Sequence, residues 1–323
     1  MHTEIGTDIL TAAHLLNNGN VVAIPTETVY GLAANALNDD AVLEIYKVKQ
    51  RPQFNPLILH VGSLQKANPF ITHIPFKAQL LAEAFWPGPL TLLLQKNKNV
   101  SDLITAGSNK VAIRVPNHSL TLELLNQLDF PVAAPSANPS GYVSPTSAAH
   151  VYEHLNGKIS YILNGGLCTV GVESTIIGWN DDEEPEIYRL GGVAVEAIEK
   201  ILDQKVKVKK QFSQNPNSPG QLRSHYATHT PLHLGSIEEL LRKFEDNKVV
   251  LINYTRYNPD LPKENQFILS TNGNLDEAAK NLFSILRLAD ELKADVLLAE
   301  RLPNFGLGLA INDRLERAQY IMK

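Results

Sequence analysis

The hydrophobic positions up to about residue 205 form short runs rich in Val, Ile and Leu, which alternate with stretches of helical spacing. The short runs predict buried strands at residues 21–24, 57–61, 90–94, 111–115, 132–134, 161–163 and 174–177. The helical spacing predicts helices at residues 8–17, 40–48, 77–85, 119–128 and 193–202. This alternation is typical of a mixed α/β domain.

The last third of the chain repeats the alternation on a smaller scale. Strands are predicted at residues 232–234, 249–253 and 296–299, and helices at 236–244, 276–292 and 310–322, which indicates a small parallel, Rossmann-like sheet. Between the two regions, residues 206–230 contain four Lys or Arg and no Asp or Glu, with a Ser218-Pro219-Gly220 turn. We therefore expect one domain over residues 1–205, a basic linker over 206–231 and a second domain over 232–323.

Composition narrows the class of protein mainly by exclusion. Hydrophobic residues make up 44% of the chain and charged residues 20%, which excludes a disordered, collagenous or coiled-coil protein. The single cysteine, Cys168, cannot form an internal disulfide, and no signal peptide or membrane-spanning run is evident, so we expect a cytoplasmic protein with no membrane partner. The formal net charge of −5 counts against a protein that coats nucleic acid by bulk electrostatics.

Several familiar nucleotide and hydrolase motifs are absent from the sequence. There is no P-loop, no G-x-G-x-x-G after a strand, no G-x-S-x-G and no H-E-x-x-H. His225 and His229 stand four residues apart, but the linker offers no cysteine or acidic neighbour, so we expect no metal held by protein side chains. Any nucleotide site must be built in another way.

Two segments in the first half could carry chemistry. The sequence PTETVYG (25–31) gathers hydroxyls and a carboxylate directly after a predicted strand, where α/β sheets place ligands, although a capped turn would look the same. Lys49 and Arg51 are separated by one residue and directly precede Pro52. In an extended segment both side chains would point to the same side, where they could bind phosphate oxygens. A solvated basic turn is the competing interpretation. His60, alone on a strand, is equally typical of a structural histidine.

Three later segments add polar groups. Arg114 lies inside an apolar strand and needs a carboxylate partner, which could belong to the protein or to a substrate. The segment from Ala134 to Gly141 follows another strand and is dense in small polar residues that could bind an anion, or could simply be a capped loop. The sequences GVESTI (171–176) and RLGG (189–192) offer glycines and a helix start, a weak anion signal on their own.

Taken together and in this order, the motifs resemble the YrdC-like threonylcarbamoyl-AMP synthases in their two-domain form. The match covers PTETVYGLA (25–33), K-x-R (49–51), NPL (55–57), S-x-N (136–138), VEST (172–175), RxGG (189–192), SPG…HYA (218–227) and GLGLAINDRLERA (306–318). The resemblance implies a YrdC-like mixed α/β domain with a twisted, partly parallel sheet, followed by a smaller Rossmann-like α/β domain.

The resemblance also implies a reaction and a set of contacts. L-threonine, bicarbonate or CO2, and ATP with Mg²⁺ would give threonylcarbamoyl-AMP and pyrophosphate, and the product would pass to the machinery that transfers the threonylcarbamoyl group to tRNA. The implied L-threonine contacts are Thr28, His60, Arg114, Ala134 through its backbone, and Ser174. The implied ATP contacts are Arg51, Asn55, Lys110, Ser136, Asn138, Ser144, Arg189 and Tyr226, with Lys49 and Arg51 meeting charge in catalysis. Family members often carry Thr at the position of Lys110.

The basic linker is expected to cover the site, because its charge would be drawn to a bound triphosphate and would bring Tyr226 close to the ligand. Two other functions remain open. A double-stranded RNA or tRNA-binding module of the same fold is one, although residues 1–205 carry 13 Lys or Arg against 20 Asp or Glu. Carbamoyl transfer on a related domain is the other, and the single cysteine argues against the zinc-finger segments of that class.

Overall fold

The computed structural model describes residues 2–180, 182–209 and 226–319. We call residues 2–209 the N-terminal unit and residues 226–319 the C-terminal unit. Strands of the N-terminal unit are β1 (Glu4–Gly6), β2 (Val22–Ile24), β3 (Gly31–Asn35), β4 (Ile58–His60), β5 (Leu90–Gln95), β6 (Lys110–Arg114), β7 (Val132–Ala133), β8 (Tyr161–Leu163), β9 (Thr175–Trp179), β10 (Pro185–Arg189) and β11 (Lys207–Val208). Its helices are α1 (Ile9–Asn17), α2 (Asp39–Lys49), α3 (Phe76–Phe85), α4 (Asp102–Thr105), α5 (Ser119–Gln127), α6 (Ala148–Leu155) and α7 (Val195–Leu202).

The strands of the N-terminal unit form one mixed sheet in the order β1-β8-β2-β3-β7-β4-β6-β5-β9-β10-β11. Strands β4 and β6 are parallel, with His60 in register with Arg114. Helices α1 and α5 pack on one face of this sheet, and α2, α3, α6 and α7 pack on the other. The predicted mixed α/β fold with a partly parallel sheet is confirmed.

Strands β1, β3, β10 and β11 were not predicted. In β3 the reason is its sequence, GLAAN, which lacks the β-branched residues that mark strands. Small residues suit this place, since a Cβ on Gly31 would lie only 3.2 Å from the Cβ of Ala134. Helix α2 follows more conventional rules: Asn38 caps its first turn through the backbone N–H of Ala41, and the helix ends at Gln50, whose φ of 53° is left-handed.

The C-terminal unit contains β12 (Leu232–Gly235), β13 (Val249–Asn253), β14 (Gln266–Ile268), β15 (Val296–Glu300), α8 (Ile237–Lys243), α9 (Leu275–Glu291) and α10 (Gly308–Ala318). Its four strands are all parallel, in the order β12-β15-β13-β14, so the predicted parallel sheet is confirmed. Strand β14 is an addition to the three predicted strands. No helix in the described parts of the chain is long and apolar enough to cross a membrane.

The two units pack closely through α9 and α10. Arg287 of α9 donates to the backbone oxygen of Val143 at 2.6 Å and pairs with Glu153 at 3.1 Å. The backbone of Lys280 passes Gly171 so closely that a Cβ on Gly171 would lie 2.4 Å from it. The loops of the N-terminal unit that follow residues 140 and 170 are therefore in contact with the C-terminal unit.

Most of the predicted linker, including His225, lies outside the described residues, and the expected division at 206 and 231 stays a prediction. Lys207–Val208 pair with β10 in the large sheet. His229, the other member of the histidine pair, lies 2.8 Å from Asp290 through Nδ1. The described residues contain no group of three or more His, Cys, Asp or Glu that could hold a metal ion.

Candidate active site

A cleft opens where β4 and β6 end. Because these strands are parallel, their carboxyl ends bring His60 and Arg114 together at one edge of the sheet. Many of the predicted site residues line this cleft: Thr28, Arg51, His60, Arg114, Ala134, Ser136, Ser174, Arg189 and Tyr226. Segments far apart in the sequence therefore meet at one site.

Arg114 is bound to protein groups on several sides. Its Nη2 lies 2.7 Å from Glu27 Oε1, and both side chains are almost fully buried. Its Nη1 donates to Thr28 Oγ1 at 2.9 Å and its Nε donates to the backbone oxygen of Gly88 at 3.2 Å. The carboxylate partner that the sequence required is thus Glu27, and the guanidinium is fixed beside the Thr28 hydroxyl. We call Glu27, Thr28, His60 and Arg114 the carboxylate end of the cleft.

His60 is neutral at this end of the cleft. Burial, and next the positive charge of Arg114, lower the pKa of His60 from 6.5 to about 3. Its Nδ1 lies 3.2 Å from the backbone oxygen of Ile58, which suits a ring that carries its proton on Nδ1. The Nε2 atom is then an acceptor for a ligand hydroxyl or ammonium group.

Two further arginines form the opposite end of the cleft. Arg51 donates to the backbone oxygens of Asn55 and Pro56, at 3.2 and 2.9 Å. Arg189 donates from Nε to the backbone oxygen of Ser174 and from Nη2 to its hydroxyl, both at 3.0 Å. Burial, the largest cause, lowers the pKa of each arginine to about 10, so both remain protonated at neutral pH. These contacts leave two positive charges held by uncharged oxygens, an arrangement suited to an anion.

Lys49 lies behind the cleft wall. It is the last residue of α2, and the left-handed Gln50 separates it from Arg51. The expectation that Lys49 and Arg51 share an extended segment is therefore wrong, because the helix continues to Lys49 and the chain then turns. The buried Lys49 ammonium donates to the backbone oxygens of Ser136 and Asn138. Burial, and next the charge of Arg51, lower the pKa of Lys49.

Glu173 faces the cleft between these groups. Its Oε1 accepts a hydrogen bond from Ser144 Oγ at 2.7 Å, and its Oε2 accepts from Arg314 of α10. Tyr226, which also lines the cleft, stacks on Phe283 of α9 with ring centroids 5.3 Å apart. We call Arg51, Ser136, Arg189 and Tyr226 the anion end of the cleft; Glu173 lines the cleft beside them without being an anion-binding group, and the buried Ser144 reaches the cleft only through Glu173.

The remaining predicted residues are placed less directly. Asn55 and Asn138 are buried behind the wall, and within the described ranges the side-chain amide of Asn55 has no hydrogen-bond partner. Asn138 Nδ2 donates to the backbone oxygens of Pro139 and Tyr142, both at 2.8 Å. The structure does not bring Lys110 to the cleft: it begins β6, at the other end from Arg114, and its ammonium donates to the backbone oxygen of Trp179 at 2.6 Å.

Three charged residues at the site were missed as participants. Glu27 and Glu173 stand inside recognised motifs, but nothing in the sequence alone says which arginine pairs with which carboxylate. Arg314 belongs to the GLGLAINDRLERA motif, and its place beside the cleft depends on how the two units pack. An arginine within an otherwise amphipathic helix, at a position that its apolar neighbours place in the core, was the available signal.

The protein groups do not form a ready site for Mg²⁺. Glu173, which lines the cleft, and Glu27, which lies behind Arg114, are each paired with an arginine. No cluster of three ligating side chains occurs within the described residues. Mg²⁺ ordinarily keeps several waters and binds substrate phosphates with one or two carboxylates. The side chains present therefore suit Mg²⁺ only as an ion that is already bound to the phosphates of ATP.

Comparison with known proteins identifies the family of both units. The family profile described as Telomere recombination, for Sua5, YciO and YrdC proteins, matches residues 14–191, and the profile for the C-terminal domain of threonylcarbamoyl-AMP synthase matches residues 193–319. The threonylcarbamoyl-AMP synthases of Pyrococcus abyssi and Bacillus subtilis are each 41% identical to this chain, over 96% of it and over 93% and 92% of their own lengths.

A solved structure matches equally well. The crystal structure of P. abyssi Sua5 complexed with L-threonine superposes with a TM-score of 0.89 at 41% identity, covering 96% of this chain and 94% of that one. Both units are included in this match, so the arrangement of the two sheets is shared. The chain belongs to the threonylcarbamoyl-AMP synthase family, a family of enzymes that make an adenylate.

Proposed function

We propose that the cleft joins L-threonine, CO2 or bicarbonate, and ATP into threonylcarbamoyl-AMP with release of pyrophosphate. The observation that carries this proposal is the pairing of two different ends in one cleft. The carboxylate end presents a fixed arginine, a hydroxyl and a neutral histidine, as a small amino acid requires, and the anion end presents two further buried arginines, as a triphosphate requires. A relative with the same fold was crystallised with L-threonine.

The proposed contacts follow these two ends. L-threonine binds through its carboxylate and hydroxyl to Thr28, His60, Arg114, the backbone of Ala134, and Ser174. ATP binds to Arg51, Asn55, Ser136, Asn138, Ser144, Arg189 and Tyr226. Lys49 supports this set from behind, because its ammonium fixes the backbone of the segment that carries Ser136 and Asn138. Lys110 is left out, since it lies at the far end of β6.

The reaction needs no covalent intermediate on the protein. The threonine amine adds to CO2, forming an N–C bond and releasing a proton to solvent, which gives a carbamate. A carbamate oxygen then attacks the α-phosphorus of ATP, and the bond from that phosphorus to the bridging oxygen breaks as pyrophosphate leaves. Negative charge grows on phosphate oxygens, where the fixed Arg51 and Arg189 stabilise it without rearrangement. Holding both substrates in one cleft supplies the rest through proximity.

The product also implies a partner. Threonylcarbamoyl-AMP is a mixed anhydride of a carbamic and a phosphoric acid, and such anhydrides react readily with water. We propose that it passes to a transferase that attaches the threonylcarbamoyl group to a tRNA adenosine.

One assay tests the proposal directly. Mass spectrometry of the adduct, with pyrophosphate release measured in parallel, should show threonylcarbamoyl-AMP only when ATP, bicarbonate and L-threonine are all present. Arg51→Met should reduce the rate at limiting ATP by about 10- to 100-fold, because one charge-assisted contact is worth roughly 1.5–3 kcal/mol. Lys47→Met, which changes an exposed lysine two residues before Lys49, is the matched control and should be fully active.

No adduct from the unmodified protein would refute the proposal. Salt-dependent tRNA binding without adduct formation would instead favour the RNA-binding module. Full activity of Arg51→Met would remove this residue from the anion end.

A further inference from the structure

Arg314 connects the C-terminal unit to the wall of the cleft. Its side chain is completely buried, and its Nε and Nη2 both donate to Glu173 Oε2 at 3.2 Å. Its Nη1 donates to the backbone oxygen of Leu190 at 2.6 Å, next to Arg189. Its guanidinium also lies 5.6 Å from the ring centre of Tyr226. One side chain of α10 thus contacts three segments at the anion end.

Glu173 needs such a partner if ATP binds here. It is a carboxylate at the cleft surface, and Ser144, one of the proposed ATP contacts, donates a hydrogen bond to it. A bare carboxylate among groups that hold a triphosphate would repel the ligand, and repulsion is strong where water is excluded. Arg189 of the N-terminal unit bonds to the Ser174 oxygens and acts on Glu173 through its charge, whereas Arg314 contacts the Glu173 carboxylate directly.

We propose that Arg314 is a positioning residue for ATP, which neutralises Glu173 and fixes it so that the anion end of the cleft accepts the triphosphate. The C-terminal unit then contributes two groups to a site built mainly by the N-terminal unit: Tyr226 in the cleft wall and the positive charge of Arg314 beside Glu173. Arg314 itself acts through Glu173, Leu190 and Tyr226. This inference rests on the proposed function, because it assigns ATP to that end.

A purely mechanical brace would behave differently from a neutralising partner. If the ion pair only held the two units together, removing either partner would lower the stability of the protein and would weaken the binding of ATP and of L-threonine to a similar extent. If Arg314 neutralises Glu173, removing the arginine weakens ATP binding, whereas removing the negative charge of Glu173 does not. Variants at Arg314 and at Glu173 should therefore change the dissociation constant for ATP in opposite directions or by unequal amounts. Both should change the dissociation constant for L-threonine little, because L-threonine binds at the carboxylate end.

The experiment measures dissociation constants of full-length protein for ATP and L-threonine by calorimetry, with thermal unfolding as a check on folding. Arg314→Met should raise the dissociation constant for ATP by about tenfold or more and leave that for L-threonine within about twofold. Glu173→Gln keeps the hydrogen bond from Ser144 and should bind ATP as well as the unmodified protein or better. The double variant should resemble Glu173→Gln, because neither buried charge remains.

Arg301→Met is the matched control, since Arg301 lies in the same unit but pairs with Glu316 at the exposed surface. It should leave both dissociation constants unchanged. The inference is overturned if Arg314→Met binds ATP normally, or if Glu173→Gln weakens ATP binding as much as Arg314→Met does. It is also overturned if Arg314→Met weakens the binding of L-threonine as much as the binding of ATP.

The double variant decides the question if Arg314→Met alone does not fold. Weak ATP binding by a folded double variant contradicts the inference, and ATP binding close to that of the unmodified protein supports it. Adduct formation by the unmodified protein is measured in the same series. Its absence refutes the proposed function, whereas its presence together with normal ATP binding by Arg314→Met refutes only the role of Arg314.

Discussion

At one end of the cleft Arg114 is paired with Glu27, and at the other end Arg314 is paired with Glu173. Both pairs join a buried arginine to a nearly buried glutamate. The first pair lies wholly within the N-terminal unit, whereas the second spans 141 residues of sequence and the boundary between the units. The carboxylate end is therefore complete in one unit, and the anion end is completed by a second.

The difference shows how the same chemistry can serve two purposes. Glu27 stands behind Arg114 and fixes a cation that faces the ligand. At the anion end the order is reversed, because Arg314 stands behind Glu173 and removes an anion that faces the ligand. Breaking either pair leaves a buried charge unbalanced, which is far more costly than breaking a surface pair.

The largest expected effect comes from breaking the carboxylate end. Arg114→Met leaves Glu27 buried without its cation and should lower the free energy of unfolding by about 3–5 kcal/mol, measured by urea denaturation. Lys47→Met breaks an exposed pair with Glu44 and should cost less than about 1 kcal/mol. Equal losses in the two variants would mean that Glu27 is solvated and that the carboxylate end is not a buried pair.

A smaller effect is expected from acidification, and it also concerns the carboxylate end. The pKa of folded His60, about 3, lies below its ordinary value of 6.5, so the unfolded chain binds this proton first. The stability that neutral His60 contributes is present above pH 6.5 and is lost as the pH falls towards 3. Between pH 6.5 and about pH 5, this loss amounts to about 2 kcal/mol.

The variant His60→Gln should therefore lose about that much less stability than the unmodified protein over the same interval, in urea titrations at each pH. His73→Gln, at an exposed position, is the control and should follow the unmodified protein. If His60→Gln and the unmodified protein lose stability equally, His60 takes up its proton as readily in the folded protein as in the unfolded chain, and the description of this end is wrong.

The smallest effect is expected at Lys110 and marks how far the anion end extends. Because Lys110 starts β6 and binds the Trp179 backbone, Lys110→Thr should change the dissociation constant for ATP by less than about twofold. Calorimetry alongside Arg51→Met makes the comparison. A loss similar to that of Arg51→Met would show that the anion end reaches across the sheet to Lys110, as the family resemblance implied.

The sequence predicted those parts of the molecule that depend on local patterns. Apolar runs predicted most strands of both sheets. Strand β3 was not predicted, because its small residues, which allow close packing against Ala134, give no strand signal. The family resemblance implied nine residues that line one cleft. The isolated Arg114 in an apolar strand correctly required a carboxylate, but not Glu27 in particular, since pairing is decided by which strands become neighbours.

What remained unpredicted depends on the packing of distant segments. Lys49 was expected to grip phosphate, and only the end of α2 shows that its ammonium is directed at the backbone of Ser136 and Asn138. Arg314 could not be linked to Glu173 without the contact between the units. For both residues the charge of the side chain was evident from the sequence, but the group that it contacts was not.

The long separation between Glu173 and Arg314 has a consequence for the newly made polypeptide. Synthesis proceeds from the amino terminus, and domains generally begin to fold in that order. The large sheet can assemble with its own Arg114 and Glu27 already paired, whereas Glu173 can pair with Arg314 only after a further 141 residues have been made. If ATP binds at the anion end as proposed, a nascent chain that stops before α10 would hold a complete carboxylate end beside a nucleotide site in which Glu173 still lacks Arg314.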